Sequence, residues 1–103
     1  MEKQRTYRNE PYLGYIRTLP CCVCGRSRVE AHHADTGGVG IKCNDTRAIP
    51  LCRICHTECH SLGKETFQGR KNVDFKVMQI KCLEEYIVAV FEIKNPNSKI
   101  REG

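Results

Sequence analysis

The sequence contains no tryptophan and no internal repeat, and none of its apolar runs approaches the roughly 20 residues that a membrane-spanning helix needs. Its start, Met1-Glu-Lys-Gln-Arg-Thr-Tyr-Arg, lacks the apolar stretch that directs secretion. A membrane protein and an exported one are thus not expected; the expectation is a soluble protein of the cytoplasm. At 103 residues the chain is also too short for two independent cores, because a chain of this size buries only about two-thirds of its unfolded surface. A two-domain enzyme with a separate cofactor domain is excluded. One domain is expected over residues 9–94, with a basic flexible arm before it (1–8) and a flexible tail after it (95–103).

What the sequence does have is eight cysteines and four histidines. Reduced intracellular thiols are poor candidates for disulfides, so their spacing is read first as metal ligation. Two C-x-x-C pairs, Cys21/Cys24 and Cys52/Cys55, frame the group His32-His33, and His56-x-x-x-His60 follows the second pair. Thiolates two residues apart at a tight turn can both point at one ion about 2.3 Å away, and two such turns complete a tetrahedron. Cys21, Cys24, Cys52 and Cys55 are therefore read as a closed structural zinc site. Residues 25–51 separate the pairs, more than the roughly 15–20 of a simple zinc ribbon, so something extra is inserted between the knuckles. Cys22, Cys43, Cys59 and Cys82 are read as ordinary thiols, with Cys59 the rival ligand because it lies one turn beyond Cys55.

The pattern of breakers and apolar residues gives an α+β chain. Asn9 and Pro11 precede the stripe Tyr12, Leu13, Ile16 and Leu19, which predicts a short helix ending before Pro20. Val29–Ala34 reads as a strand, Asp35–Gly40 as a flexible loop, and Arg47–Leu51 as the returning strand of a hairpin. A helix is expected over Arg53–Leu62, closed by Gly63. A last helix, capped by Asp74, runs to Lys94 with Phe75, Met78, Cys82, Tyr86 and Ile93 inward and Leu83, Ile87 and Val90 widening the stripe; the β-branched run Ile87-Val-Ala-Val-Phe makes a strand the alternative there.

On the middle helix His56 and His60 are four residues apart and share a face, as two imidazoles must to hold one ion at about 2.0–2.1 Å. A third ligand can come from the strand. Adjacent strand residues point to opposite sides, so one of His32 and His33 can face the ion while the other looks elsewhere: one pair offers a ligand and a base. The alternative is a set of unrelated surface histidines.

The net charge is +5, from 17 Lys+Arg against 12 Asp+Glu. Residues 1–28 hold Lys3, Arg5, Arg8, Arg17, Arg26 and Arg28 against Glu2 and Glu10, a basic edge beside the cysteines that suits a polyanion such as nucleic acid. A solvated basic face with no partner is the competing account.

The order Cys21-x-x-Cys24, Glu30-Ala-His32-His33, Cys52-x-x-Cys55-His56-x-x-x-His60 resembles the HNH (ββα-metal) endonucleases, specifically those braced by a four-cysteine zinc site. The stretch from His32 to Asp45, followed by Ile49-Pro-Leu-Cys, is similar to phage and prophage nucleases of the recombination-associated Ref-like type. The likeness spans roughly Asn9 to Asp74. It implies a small zinc-braced ββα-metal core flanked by an N-terminal and a C-terminal helix, in a bacterial or phage-infected cell. It makes His33 the general base and His32, His56 and His60 the ligands of a catalytic magnesium, manganese, nickel or zinc ion. It further implies that Asp45 and Lys42 belong to the functional surface, Asp45 orienting His33 and Lys42 meeting a phosphate. Many members carry Asn nine residues before the first helical histidine; here that position is Arg47. The expected activity is hydrolysis of DNA phosphodiester bonds by a monomer or weak dimer. Single-stranded, branched or recombinase-bound DNA are the candidate substrates, and Arg17, Arg26, Arg28, Lys42 and Arg47 the nucleic-acid contacts. A zinc-stabilised DNA-binding or adaptor module without activity is the alternative.

Overall fold

The structure, a computed structural model, describes residues 7–34 and 44–96. Over them the chain is α+β. Helix α1 (Glu10–Arg17) is followed by strand β1 (Val29–His33), a short 3-10 turn (Asp45–Arg47), strand β2 (Ala48–Cys52) and helices α2 (Arg53–Leu62), α3 (Lys64–Lys71) and α4 (Phe75–Lys94). No helix among the described residues is long and apolar enough to cross a membrane. Lys42, Cys43 and the glycines Gly37, Gly38 and Gly40 lie outside the described residues.

Local chemistry sets the helix ends. The Asn9 side chain accepts the Tyr12 amide, with Pro11 in the first turn, so α1 starts where expected. Asp74 likewise accepts the amides of Lys76 and Val77 and opens α4. Between α2 and α3, Gly63 sits at φ 88° and ψ 149°, a conformation nearly reserved for glycine, which lets one helix stop and the next begin without a linker. Helix α3 was not anticipated: Lys64–Lys71 carries a single buried apolar residue, Phe67, too little to give a stripe.

The strands pair antiparallel with Val29 opposite Cys52, Ala31 opposite Pro50 and His33 opposite Ala48. β2 begins at Ala48 and not at Arg47, which belongs to the 3-10 turn. In a two-stranded sheet both strands are edges, so Pro50 costs no required ladder bond. Alternation divides the hairpin into two faces. Ile49 and Leu51 pack with Phe67, Phe75, Cys55 and Cys59. Ala48 and Ala31 pack with Tyr12, Ile16 and Cys82 on the other side. The sheet is thus sandwiched between α1 on one face and α2 with α3 on the other, with α4 closing both.

Helix α4 is continuous, and over its first half the expected face is inward, with Met78, Leu83 and Tyr86 packed against the two cores. Phe75, Gln79 and Cys82 are buried, whereas Ile87 is 64% and Ile93 79% exposed. The hairpin is too short to meet the second half of a 20-residue helix, so those residues stay uncovered. Buried Gln79 is satisfied by donating from Nε2 to the Arg47 carbonyl at 3.1 Å.

Candidate functional site

The first cysteine pair sits in a turn whose geometry is fixed by its backbone. Gly25 donates to the Cys21 carbonyl at 2.9 Å while adopting φ 77°, and Cys22 donates to the Pro50 carbonyl at 3.0 Å, which docks the turn on β2. The second pair straddles the start of α2, where Cys52 is the N-cap and its sulfur accepts the Cys55 amide at 3.5 Å. The sulfurs of Cys21, Cys24, Cys52 and Cys55 all lie within 4.8 Å of one another. Cys24 and Cys52 Sγ are 3.5 Å apart, close to the roughly 3.8 Å edge of a tetrahedron with 2.3 Å bonds.

Acidity supports the same assignment. Burial opposes ionisation of Cys52, but the Cys55 amide and the neighbouring thiols hold it down to about 7; Cys21 is also lowered against its burial by amide and thiol donors. Burial, with Cys52 and Cys24 alongside, pushes Cys55 up. Four thiols in contact cannot all ionise without a cation among them, so the donor set could hold a metal such as zinc. Cys59 is buried but outside this cluster, and burial raises it, as it raises Cys22 to about 12 and Cys82 to about 11.

The second cluster joins β1 to α2. His32 Nδ1 lies 3.2 Å from His56 Nε2, which lies 2.9 Å from His60 Nε2. The ligand atoms of the three rings all lie within 4.8 Å of one another, a spacing that could hold one ion. The His56 Nδ1–H donates to Glu30 Oε1 at 2.7 Å, which fixes the tautomer and turns the Nε2 lone pair inward. His32 packs edge-on against buried Phe75, and burial together with the rings of His56, His60 and His33 lowers it to about 4, so it is neutral with a lone pair to offer. The three ring nitrogens are thus close enough together to hold one cation.

His33, next along the strand, turns to the opposite face. Its Nε2 lies 2.8 Å from Asp45 Oδ1. Asp45 is no solvated loop carboxylate: it is 1% exposed and also accepts from the Asn9 amide at 2.7 Å and Arg8 at 3.2 Å. Burial works against its ionisation, but the Asn9 amide, His33 and Arg8 overcome that and hold it below the usual carboxylate range. Tyr7 and Arg8, assigned by the sequence to a loose arm, are therefore tied down, with Tyr7 N donating to Asn44 Oδ1 at 2.8 Å.

Of the expected nucleic-acid contacts, Arg26, Arg28 and Arg47 are exposed, and Arg17 is exposed while pairing with Glu10 at 3.6 Å. Glu30 and Arg8 are site neighbours to which sequence reasoning gave no role. Glu30 was legible, since it stands two residues before His32 and so on the same strand face; Arg8 had no local signal.

Residues 1–80 match the family described as "Protein of unknown function (DUF968)". The chain belongs to this family. It is also similar to the "Uncharacterized protein YdfU" of Escherichia coli (strain K12), 36% identical over 64 residues, which are 59% of this chain. The matched stretch is 18% of the length of that relative. No solved structure matches the DUF968 chain. The family match ends inside α4, so it takes in both clusters and the His33–Asp45 pair.

Proposed function

We propose that this DUF968 chain is a metal-dependent phosphodiesterase that cuts DNA, built on an HNH-type ββα core. The observation that carries the reading is that one strand sends His32 into a cluster of three ring nitrogens and its neighbour His33 to a buried carboxylate, separating a ligand from a base within two residues. In this reading His32 Nδ1, His56 Nε2 and His60 Nε2 hold a divalent cation, and the four cysteines hold a structural zinc that fixes α2 against the hairpin. The catalytic cation, when bound, supplies Lewis-acid stabilisation of charge on the phosphate and the departing oxygen.

The rest falls to the chain itself. His33 donates Nε2–H to Asp45, which places the lone pair on Nδ1, where it accepts a proton from the attacking water. Asp45 fixes that tautomer and the ring direction. The net charge of +5 and the exposed Arg26 and Arg28 beyond the first knuckle favour a polyanionic substrate.

The test is cleavage of plasmid, single-stranded and branched DNA with magnesium, manganese, nickel or zinc, parent beside His33→Ala. Cutting by the parent and a loss of at least about 100-fold in the variant, with fold and zinc content kept, is the expected result. Equal cutting would remove His33 from the base role; no cutting by the parent under any condition would leave a DNA-binding or adaptor module.

A further inference from the structure

Asp45 collects donors from three places. Oδ1 takes His33 Nε2 at 2.8 Å and Arg8 Nη1 at 3.2 Å, and Oδ2 takes the Asn9 amide at 2.7 Å. The backbone around it is pinned as well: the Asp45 amide donates to the Tyr7 carbonyl at 3.0 Å, and the Tyr7 amide donates to Asn44 Oδ1 at 2.8 Å. Residues 7–9 thus lie across residues 44–45 as a clasp, and its one cationic side chain ends on the oxygen that His33 uses. The carboxylate is enclosed, with its side chain 2% exposed, while the Arg8 side chain is 51% exposed and covers it from the solvent side.

A carboxylate held at one oxygen by an amide can still rotate about its Cβ–Cγ bond. The guanidinium on Oδ1 opposes that rotation and keeps the plane aligned with the imidazole. Resting on the reading of His33 as the base, we propose that Arg8 is a positioning residue: through Asp45 Oδ1 it holds His33 in one orientation and one tautomer, so the segment before α1 is part of the site. In this role Arg8 acts through Asp45 and not on substrate or ion. Its effect therefore belongs in the rate of the bound complex and not in substrate affinity.

The experiment compares Arg8→Ala and Arg8→Lys with the parent, all as full chains. Long-range proton–nitrogen NMR reads the His33 tautomer, and cleavage kinetics read kcat and KM. Arg8→Ala is expected to give a mixed His33 tautomer and a kcat lowered about fivefold at unchanged KM, as suits a half-exposed ion pair. Arg8→Lys, which restores the charge but not the planar fork, is expected to recover part of both. An unmixed tautomer with unchanged kcat in Arg8→Ala overturns the proposal. A raised KM at constant kcat also overturns it, because Arg8 then meets substrate. Loss of the fold in Arg8→Ala with a parental His33 signal in Arg8→Lys makes Arg8 a structural prop and does the same. If the parent cuts no DNA yet the tautomer mixes in Arg8→Ala, the positioning role stands and the nuclease reading falls.

Discussion

His33 Nε2 and Asp45 Oδ1 are 2.8 Å apart, joining a part-exposed imidazole on the hairpin to a carboxylate that the solvent barely reaches. Because this carboxylate also caps the chain before α1 through Asn9 and Arg8, function and folding are tied together at one residue.

Asp45→Asn should therefore affect both. Replacing the carboxylate weakens three hydrogen bonds in a buried place, so a loss of about 1–3 kcal/mol at neutral pH is expected, read as a lower melting temperature. The pH dependence has a definite sign. The Asp45 pKa in the folded chain is below its unfolded value of about 3.9, so its contribution is complete above that value and disappears as pH falls through the folded one. The gap between parent and variant should shrink on acidification below about pH 4, a comparison in which zinc loss affects both proteins alike. A gap that stays constant from pH 7 to pH 3 would mean that these contacts do not lower the Asp45 pKa on folding.

Cys52 has two tasks, as a donor to the cysteine cluster and as the cap of α2. Cys52→Ala should lose the zinc equivalent and most of the cooperative fold, because binding free energy at a structural site is folding free energy. Elemental analysis with thermal melting checks this. A variant that melts like its parent would show that the four sulfurs carry no metal.

Much of this arrangement was readable beforehand because it is local. Asn9, Pro11 and Asp74 are capping signals that act within a turn, the C-x-x-C pairs and His56/His60 are spacing signals, and the division of His32 from His33 follows from strand alternation. What sequence did not reveal is set by distant partners. In the sequence Asp45 is tied to His33 by the family resemblance alone, nothing local shows that Asn9 and Arg8 fold over it, and α3 has only Phe67 to mark it. Ile87 and Ile93 fit the apolar pattern of α4 yet stay exposed among the described residues, because pattern records the periodicity of a helix and not the extent of the surface it meets.

Tyr12 offers a test of the second core. Its ring is packed against Tyr86 with centroids 5.0 Å apart, and its hydroxyl is buried with no hydrogen-bond partner among the described residues. Burial accordingly pushes the phenol up. Tyr12→Phe keeps the ring contacts and removes the unsatisfied group, so melting should be unchanged or higher by the equivalent of about 1 kcal/mol. A loss of that size instead would reveal a partner for the hydroxyl.

Glu30 is the residue through which the histidine cluster can be tested apart from any reaction. Its side chain is 49% exposed and contributes little to the core, yet its Oε1 accepts the His56 Nδ1–H at 2.7 Å. In Glu30→Ala that proton is free to move to Nε2, and an N–H then points where a lone pair is needed. Affinity for a divalent cation should fall about 10-fold or more, as for other carboxylates that orient a histidine ligand. Titration calorimetry on protein whose cysteine site is kept loaded measures this directly, and the zinc content of that site should not change. Undiminished affinity would mean that Glu30 does not hold His56 in the tautomer that presents Nε2 to the cation.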